Sequence, residues 1–457
     1  MSDNQKNNNA WNRVDHLQAE AFAQQYISFL NQAKTEREAT QYILDRAVSL
    51  GFKDLNQVES VNVGDKLLLT EKGKVAALLI MGRQPLQAGF NIVAAHLDSP
   101  RLDIKTQPLY EADNMALFKT HYYGGIKKYQ WLAAPLAMHG VVIKKDGTSI
   151  ALNIGEQAGD PVFTITDLLP HLAQEQMAKK LSEVFVGEDL NILVGSIPQG
   201  DEDAPIKQAI MSLLEDKYQI EQEDFFSAEI QMVPAFQAAS VGLDASMVGG
   251  YGQDDRVCVY TSLKALLSIK NPERTVLALF VDKEEIGSTG NTGLQSLLME
   301  NLFAQVLYKA NLKDYYTVRQ AMAASHAISA DVNGAIDPKY PEVFEKMNCS
   351  FLGGGIAISK ATGSRGKYDA SDANPEFIAR IRALWDEMEV MWQAGNLGKV
   401  DIGGGGTVAK YMTYFGMEVV DCGVPVLGMH SPFEVTSKAD VYMAYLAYRS
   451  FLSGFRG

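Results

Sequence analysis

The sequence predicts an α/β fold: a three-layer α/β/α domain with a mixed central sheet, interrupted by a β-rich insertion. Three observations point to it. Apolar runs of strand length, "KVAALLIM" (74–81) and "FNIVAA" (90–95), follow turn-forming glycines. From residue 249 onward, strand-like and helix-like stretches alternate, the pattern of a sheet with helices on both faces. Between about 104 and 248 the pattern changes to hairpins and short β-like runs. The expected organisation is therefore a discontinuous main domain, 1–103 with 249–457, and an inserted domain, 104–248.

The elements follow in order. Thr35 and Glu38 form a T-x-x-E capping box ahead of "ATQYILDRAVSLGF", and Gly51 is placed to stop that helix. The strand at 90–95 runs into "HLDSP". In the insertion, "GVVIKKDGTSIALNIG" reads as a hairpin with Asp146–Gly147 at the turn, and "GDEDAP" (200–205) as an acidic loop. Beyond 249 a helix is expected from Arg256, and strands at 275–281, 327–330 and 418–421. A last helix is expected to start near Ser437 with an S-x-x-D signal. The tract "GGGG" (403–406) is a local loop.

Composition narrows the partners. The 457 residues are 47% apolar and 21% charged, enough for a large core, with a net charge of −14 that argues against binding a nucleic-acid backbone. No apolar run approaches the roughly 18–20 residues of a membrane span. The opening "MSDNQKNNNAWNRV" lacks an apolar signal core. Cys258, Cys349 and Cys422 are far apart and odd in number, which disfavours a disulfide framework or a thiolate zinc site. A cytoplasmic location is the expectation.

The chemistry gathers where strands stop. "AAHLDSP" places His96 and Asp98 at a strand end, as one metal ligand and the group that orients its imidazole, or as a structural histidine. "GYGQDDRV" places Asp254 and Asp255 before a helix, as ligands or as helix N-caps. "DKEEIGSTG" offers two adjacent acids, Glu284 and Glu285. One metal-bound and one free carboxylate are what water activation needs, the alternative being a solvated acidic loop. Asp331 follows a short strand, His430 precedes the last helix, and His326 reads as structural. Two histidines with several carboxylates make a mixed nitrogen and oxygen set suited to zinc, manganese or cobalt. Two ions sharing a bridging carboxylate would use two His, two Asp and one Glu. The remaining Glu is left as a base.

The segments "AAHLDSPRL", "GGYGQDDRV", "DKEEIGS", "SADVNGAIDPKYP" and "GMHSPFEV" occur in the order and approximate spacing of one family. The chain resembles the aspartyl aminopeptidase (aminopeptidase I) family of dinuclear-zinc metallopeptidases, over nearly its whole length. "YYGGIKKYQW" (122–131) is also similar to a family segment. The resemblance implies that His96, Asp254 and Asp331 hold one ion, and that Asp254, Glu285 and His430 hold the other. It further implies Glu284 as general base, Asp98 as the group orienting His96, and an α/β catalytic domain interrupted by a β-rich dimerisation domain. Dimers that build a dodecamer with an interior chamber are implied as well.

The substrates implied are peptides with a free N-terminus. Candidate substrate contacts are Lys360, the "GGGGT" loop with Gly406 and Thr407, and His171. The chain departs from eukaryotic members where "KKYQWLAAPLAMHG" replaces a Trp-x-x-Trp-Phe-Asp-Arg-Asp stretch. It departs again where "PHLAQE" has Glu175 in place of a second His. The implied side-chain preference is therefore acidic or broader. Two other readings keep the same residues: a metal-dependent amidohydrolase or carboxypeptidase-like enzyme, and a non-catalytic cage-forming protein.

Overall fold

A computed structural model describes residues 9–200 and 203–456; the first eight residues of the polar opening and two acids of the 200–205 loop lie outside the described residues. The chain divides into two compact units. One comprises the residues up to Asp98, Ala238–Met429 and those from Phe433 onward; the other comprises Ser99–Gln237 and His430–Pro432.

Among the described residues of the first unit, nine strands form one sheet: β1 (Lys53–Asp54), β2 (Lys66–Glu71), β3 (Val75–Ile80), β4 (Phe90–His96), β5 (Thr275–Val281), β6 (His326–Ser329), β7 (Ile356–Ser359), β8 (Trp392–Ala394) and β9 (Glu418–Gly423). Their order is β1-β2-β3-β5-β4-β6-β9-β7-β8. The sheet is mixed. β5, β4, β6 and β9 run parallel at its centre, while β3 and β7 are antiparallel to the central strands they flank. Side chains alternate between the two faces of each strand. On β5, Val276, Ala278 and Phe280 enter one hydrophobic core, and Leu277, Leu279 and Val281 enter another. The first core is completed by α1 (His16–Gln32), α2 (Glu36–Ser49), α3 (Gln253–Leu267), α6 (Pro375–Glu387) and α7 (Lys438–Gly454). The second is completed by α4 (Leu298–Lys309) and α5 (Tyr315–Ala323). Helices thus cover both faces, giving three layers, as buried parallel strands require.

This topology locates the ligand-binding edge. β4 lies between β5 and β6, so the chain passes from β4 to β5 on one side and then from β5 across to β6 on the other, making a topological switch point beside the carboxyl end of β4. His96 is the last residue of β4, in register with Val281 at the end of β5.

The local signals act as their chemistry dictates, with two exceptions. The Thr35–Glu38 capping box is formed, and α2 ends before Gly51, whose φ of +84° suits a residue without Cβ. The S-x-x-D signal before α7 does not work as a cap. Ser437 occupies the N-cap position without a capping bond, and Asp440 accepts the Gly353 and Gly355 amides at 2.7 Å each. Two backbone donors with no other local acceptor outcompete the helix end for that carboxylate. The helix expected from Arg256 begins at Gln253, and neither Asp254 nor Asp255 caps it: Gly252 is the N-cap, and both aspartates have non-helical backbone.

Burial raises the Asp440 carboxyl to about 7, against the opposing pull of the two glycine amides. Because this exceeds its unfolded value of about 3.9, its contribution to stability is fullest below about pH 4 and is lost as pH rises toward 7. Asp440→Ala, which strands both amides, is expected to cost on the order of 2–4 kcal/mol in urea unfolding. Asp440→Asn is expected to remove this residue's share of the pH slope.

Among the described residues of the second unit, six strands form an antiparallel sheet in the order Ser149–Ile154, Leu136–Ile143, Ala228–Pro234, Arg101–Ala112, Met115–Tyr123 and Ile192–Gly195. The Asp146–Gly147 turn closes the first hairpin. Gly147 has φ +87°, and Asp146 accepts the Thr148 amide at 2.8 Å.

Candidate metal centre

At the end of β4, His96 is buried and held from two directions. Its Nδ1 lies 3.0 Å from the Asp98 carbonyl oxygen and 3.5 Å from the Asp98 carboxylate. Its Nε2 lies 3.2 Å from Asp254 Oδ1, 3.9 Å from Asp331 Oδ1 and 4.0 Å from Glu284 Oε2. Asp331 arrives two residues beyond β6, the neighbour of β4 on the side away from β5.

The two glutamates enter on the loop leaving β5. Lys283 at φ +68° and Gly287 at φ +93° bracket a short 3-10 turn, Glu284–Ile286. A continuing strand would send adjacent side chains to opposite faces; this turn does not. Asp98 fixes it, accepting the Glu284 amide on one carboxylate oxygen and the Glu285 amide on the other, each at 3.1 Å. Asp98 therefore orients the imidazole through its backbone carbonyl and sets the glutamate turn through its side chain. A ligand oxygen of Glu285 lies within 4.8 Å of one from Asp254.

Asp254 is held from behind. Its amide donates to Glu434 Oε2 at 3.0 Å, and the buried Gln253 beside it donates to the carbonyls of Val248 and Glu434. Asp255 accepts the His96 amide on Oδ2 at 3.3 Å. The sequence reading missed both supports. Asp255 reads as a ligand or N-cap rather than a support, and the one signal at Glu434 is an acid set between Phe433 and Val435.

The electrostatics call for positive charge. Burial disfavours protonated His96, yet Asp254 and Asp98, followed by Asp255 and Asp331, raise its pKa well above the usual histidine value. Burial pushes Asp255 and Asp331 well above the carboxylate range; His96 opposes the rise in both, while Asp254 adds to that of Asp255, and Asp255, Glu284 and Asp254 add to that of Asp331. One imidazole cannot balance this many carboxylates, and buried charge of one sign is costly. An ion bonded at about 2.0–2.2 Å spaces its ligand atoms roughly 3–4 Å apart. The His96, Asp254 and Asp331 atoms, all within 4.8 Å of one another, fit such an ion, and their nitrogen and oxygen donors suit zinc.

His430, at φ +65°, begins the short stretch counted with the second unit, where its Nδ1 bonds the Gly125 carbonyl oxygen at 2.8 Å. His171, also in that unit, is exposed on the short turn Pro170–Leu172. Lys360 pairs with Asp372. Thr407 donates to Asp421 at 2.7 Å, and Gly406 is exposed. His326 starts β6, at the end opposite the cluster. Burial, then Arg274 and Arg380, lower its pKa to about 4, and Arg274 donates to its Nδ1 at 3.0 Å, a structural role.

The family profile described as aminopeptidase I zinc metalloprotease (M18) matches residues 29–452. This chain is a member of the M18 aminopeptidase I family. A relative in Clostridium acetobutylicum, a probable M18 family aminopeptidase 1, is 47% identical over 97% of this chain and 98% of its own length. The crystal structure of an M18 family aminopeptidase from Thermotoga maritima is 45% identical, covering 98% of this chain and 99% of that one with a TM-score of 0.95. The crystal structure of aminopeptidase I from C. acetobutylicum superimposes with a TM-score of 0.90 at 48% identity, over 97% of this chain and 98% of that one. The M18 member described here carries the cluster at the edge where its fold places ligands. Among its described residues no helix is long and apolar enough to cross a membrane.

Proposed function

We propose that this M18 member is a dinuclear metal-dependent aminopeptidase that removes N-terminal residues from peptides. The observation that carries the reading is the convergence of His96, Asp254, Asp331 and Glu284 at the switch point of the sheet, with Asp98 fixing the glutamate turn. In this reading His96, Asp254 and Asp331 would hold one ion and Asp254, Glu285 and His430 the other, with Asp254 shared by both. Zinc is the preferred metal, with cobalt or manganese as alternatives. Ions held there would supply Lewis-acid polarisation of the scissile carbonyl and lower the pKa of water toward neutrality.

The chain's own groups do the rest. Glu284 accepts a proton from the attacking water and delivers it to the leaving amine nitrogen, so the water's elements are divided between the two products. Asp98 keeps both glutamates aimed. Nearby carboxylates receive the substrate's free α-ammonium, which restricts cleavage to the N-terminal bond. Lys360, Gly406, Thr407 and His171 are proposed substrate contacts, the preferred side chain being acidic or broader. The catalytic part is assigned to 1–103 with 249–457, and a dimerisation role to 104–248. The dimers assemble into a dodecamer in the cytoplasm.

A panel of free-amine aminoacyl anilides and their N-blocked counterparts tests this, run on apo protein restored with zinc, cobalt or manganese in turn. Hydrolysis of only the free-amine set is expected. Turnover of the blocked set would favour the amidohydrolase reading. Asp98→Asn, which puts an N–H donor against a backbone amide, is expected to lower kcat by about 10–100-fold, and normal kcat in that variant would remove the positioning role. Sedimentation of the purified protein checks the assembly.

A further inference from the structure

The glycine tract contains two residues that its own packing does not require. Gly404–Gly405 pairs antiparallel with Gly363–Ser364. A Cβ at Gly403 would lie 1.9 Å from the Leu397 carbonyl oxygen, and one at Gly404 2.2 Å from that of Gly363, so both positions exclude side chains. At Gly405 and Gly406 a Cβ would meet nothing within 4 Å, and neither has a left-handed φ. Glycine here is an entropic disadvantage without a steric return inside the chain. Its remaining use is close approach by a backbone from outside. Both residues are exposed, and among the described residues the Gly406 amide and carbonyl make no hydrogen bond.

The tract is tethered toward the candidate metal centre at two points. Thr407 donates to the buried Asp421 on β9, which is in register with Ser329, two residues before Asp331. Four residues on, the Tyr411 hydroxyl donates to the Gly287 carbonyl at 3.1 Å, two residues after Glu285. The segment from Thr407 to Tyr411 therefore spans from the Asp331 strand pair to the glutamate turn.

We infer that Gly405–Gly406 is a docking edge for the extended main chain of the peptide substrate beyond its scissile bond. This rests on the aminopeptidase reading above. The occupant is a peptide because the tethers place the edge beside the proposed ligands, where the rest of an N-terminally held substrate must trail. Main-chain pairing at a free strand edge is indifferent to side chains, which suits a substrate of variable sequence.

The test uses the metal-loaded protein and matched tripeptide amides, with the second peptide nitrogen either free or methylated, and an aminoacyl anilide as reference. Loss of one main-chain bond is expected to raise KM by about tenfold in the wild type. Gly406→Val should raise KM for the unmethylated peptide by a similar factor, more than for the anilide, and methylation should then add less than about twofold. Gly406→Ala, which adds one methyl group into open space, serves if valine perturbs the loop. Equal methylation effects in wild type and variant, or none in the wild type while the anilide is hydrolysed, would overturn the docking edge. Failure to hydrolyse any free-amine substrate with any metal would overturn the aminopeptidase reading itself, and the docking edge with it.

Discussion

Glu284→Gln is expected to retain both metals and lose roughly 10²–10⁴-fold in kcat, the range attributed to a positioned general base. Several features favour Glu284 over its neighbour. Among the described residues Glu285 belongs with Asp254 to a set of possible ligand atoms all within 4.8 Å of one another, whereas Glu284 belongs to no such set, although its Oε2 lies 4.0 Å from His96 Nε2. The amides of both residues are anchored to Asp98, so the amide substitution preserves the turn while removing the proton acceptor. Elemental analysis and kcat, measured on the same preparation, separate the two roles. Metal loss in Glu284→Gln would make that residue a ligand, and unchanged kcat would remove it as the base.

Asp254→Ala is the second large expectation. If Asp254 bridges, its removal weakens both ions at once, and metal content should fall from about two per chain toward zero with activity below detection. On the same assignment Asp331→Ala would remove a ligand of one ion only and should leave about one. The Asp254 amide, which donates to Glu434, is retained in the alanine variant. Circular dichroism should therefore match the wild type. Two ions retained by Asp254→Ala would end the bridging assignment.

Much of this was legible because strand ends and ligand chemistry both leave marks in a sequence. The apolar run at 275–281 forms β5 over those residues, and "AAHLDSP" marks the end of β4, because buried parallel strands read as continuous apolar runs. What escaped depends on contacts between distant segments. The order β5-β4-β6, which makes the end of β4 a switch point, cannot be read from periodicity. Nor can the use of Asp440 to hold two glycine amides from the 351–355 loop, since its spacing from Ser437 mimics a helix start. The motif marks Asp98 as the residue that orients His96 but not the atom that does so. The closer contact is its carbonyl, a group every residue carries and no motif records.

The order of the strands has a bearing on when the centre can come into being. A ribosome that has released the first third of this polypeptide has delivered His96 and Asp98 but none of the acids at 254, 284, 285 and 331 that face them. The strand carrying His96 must wait for neighbours encoded on the far side of the insertion. The cluster around His96 therefore cannot form until synthesis has passed Asp331.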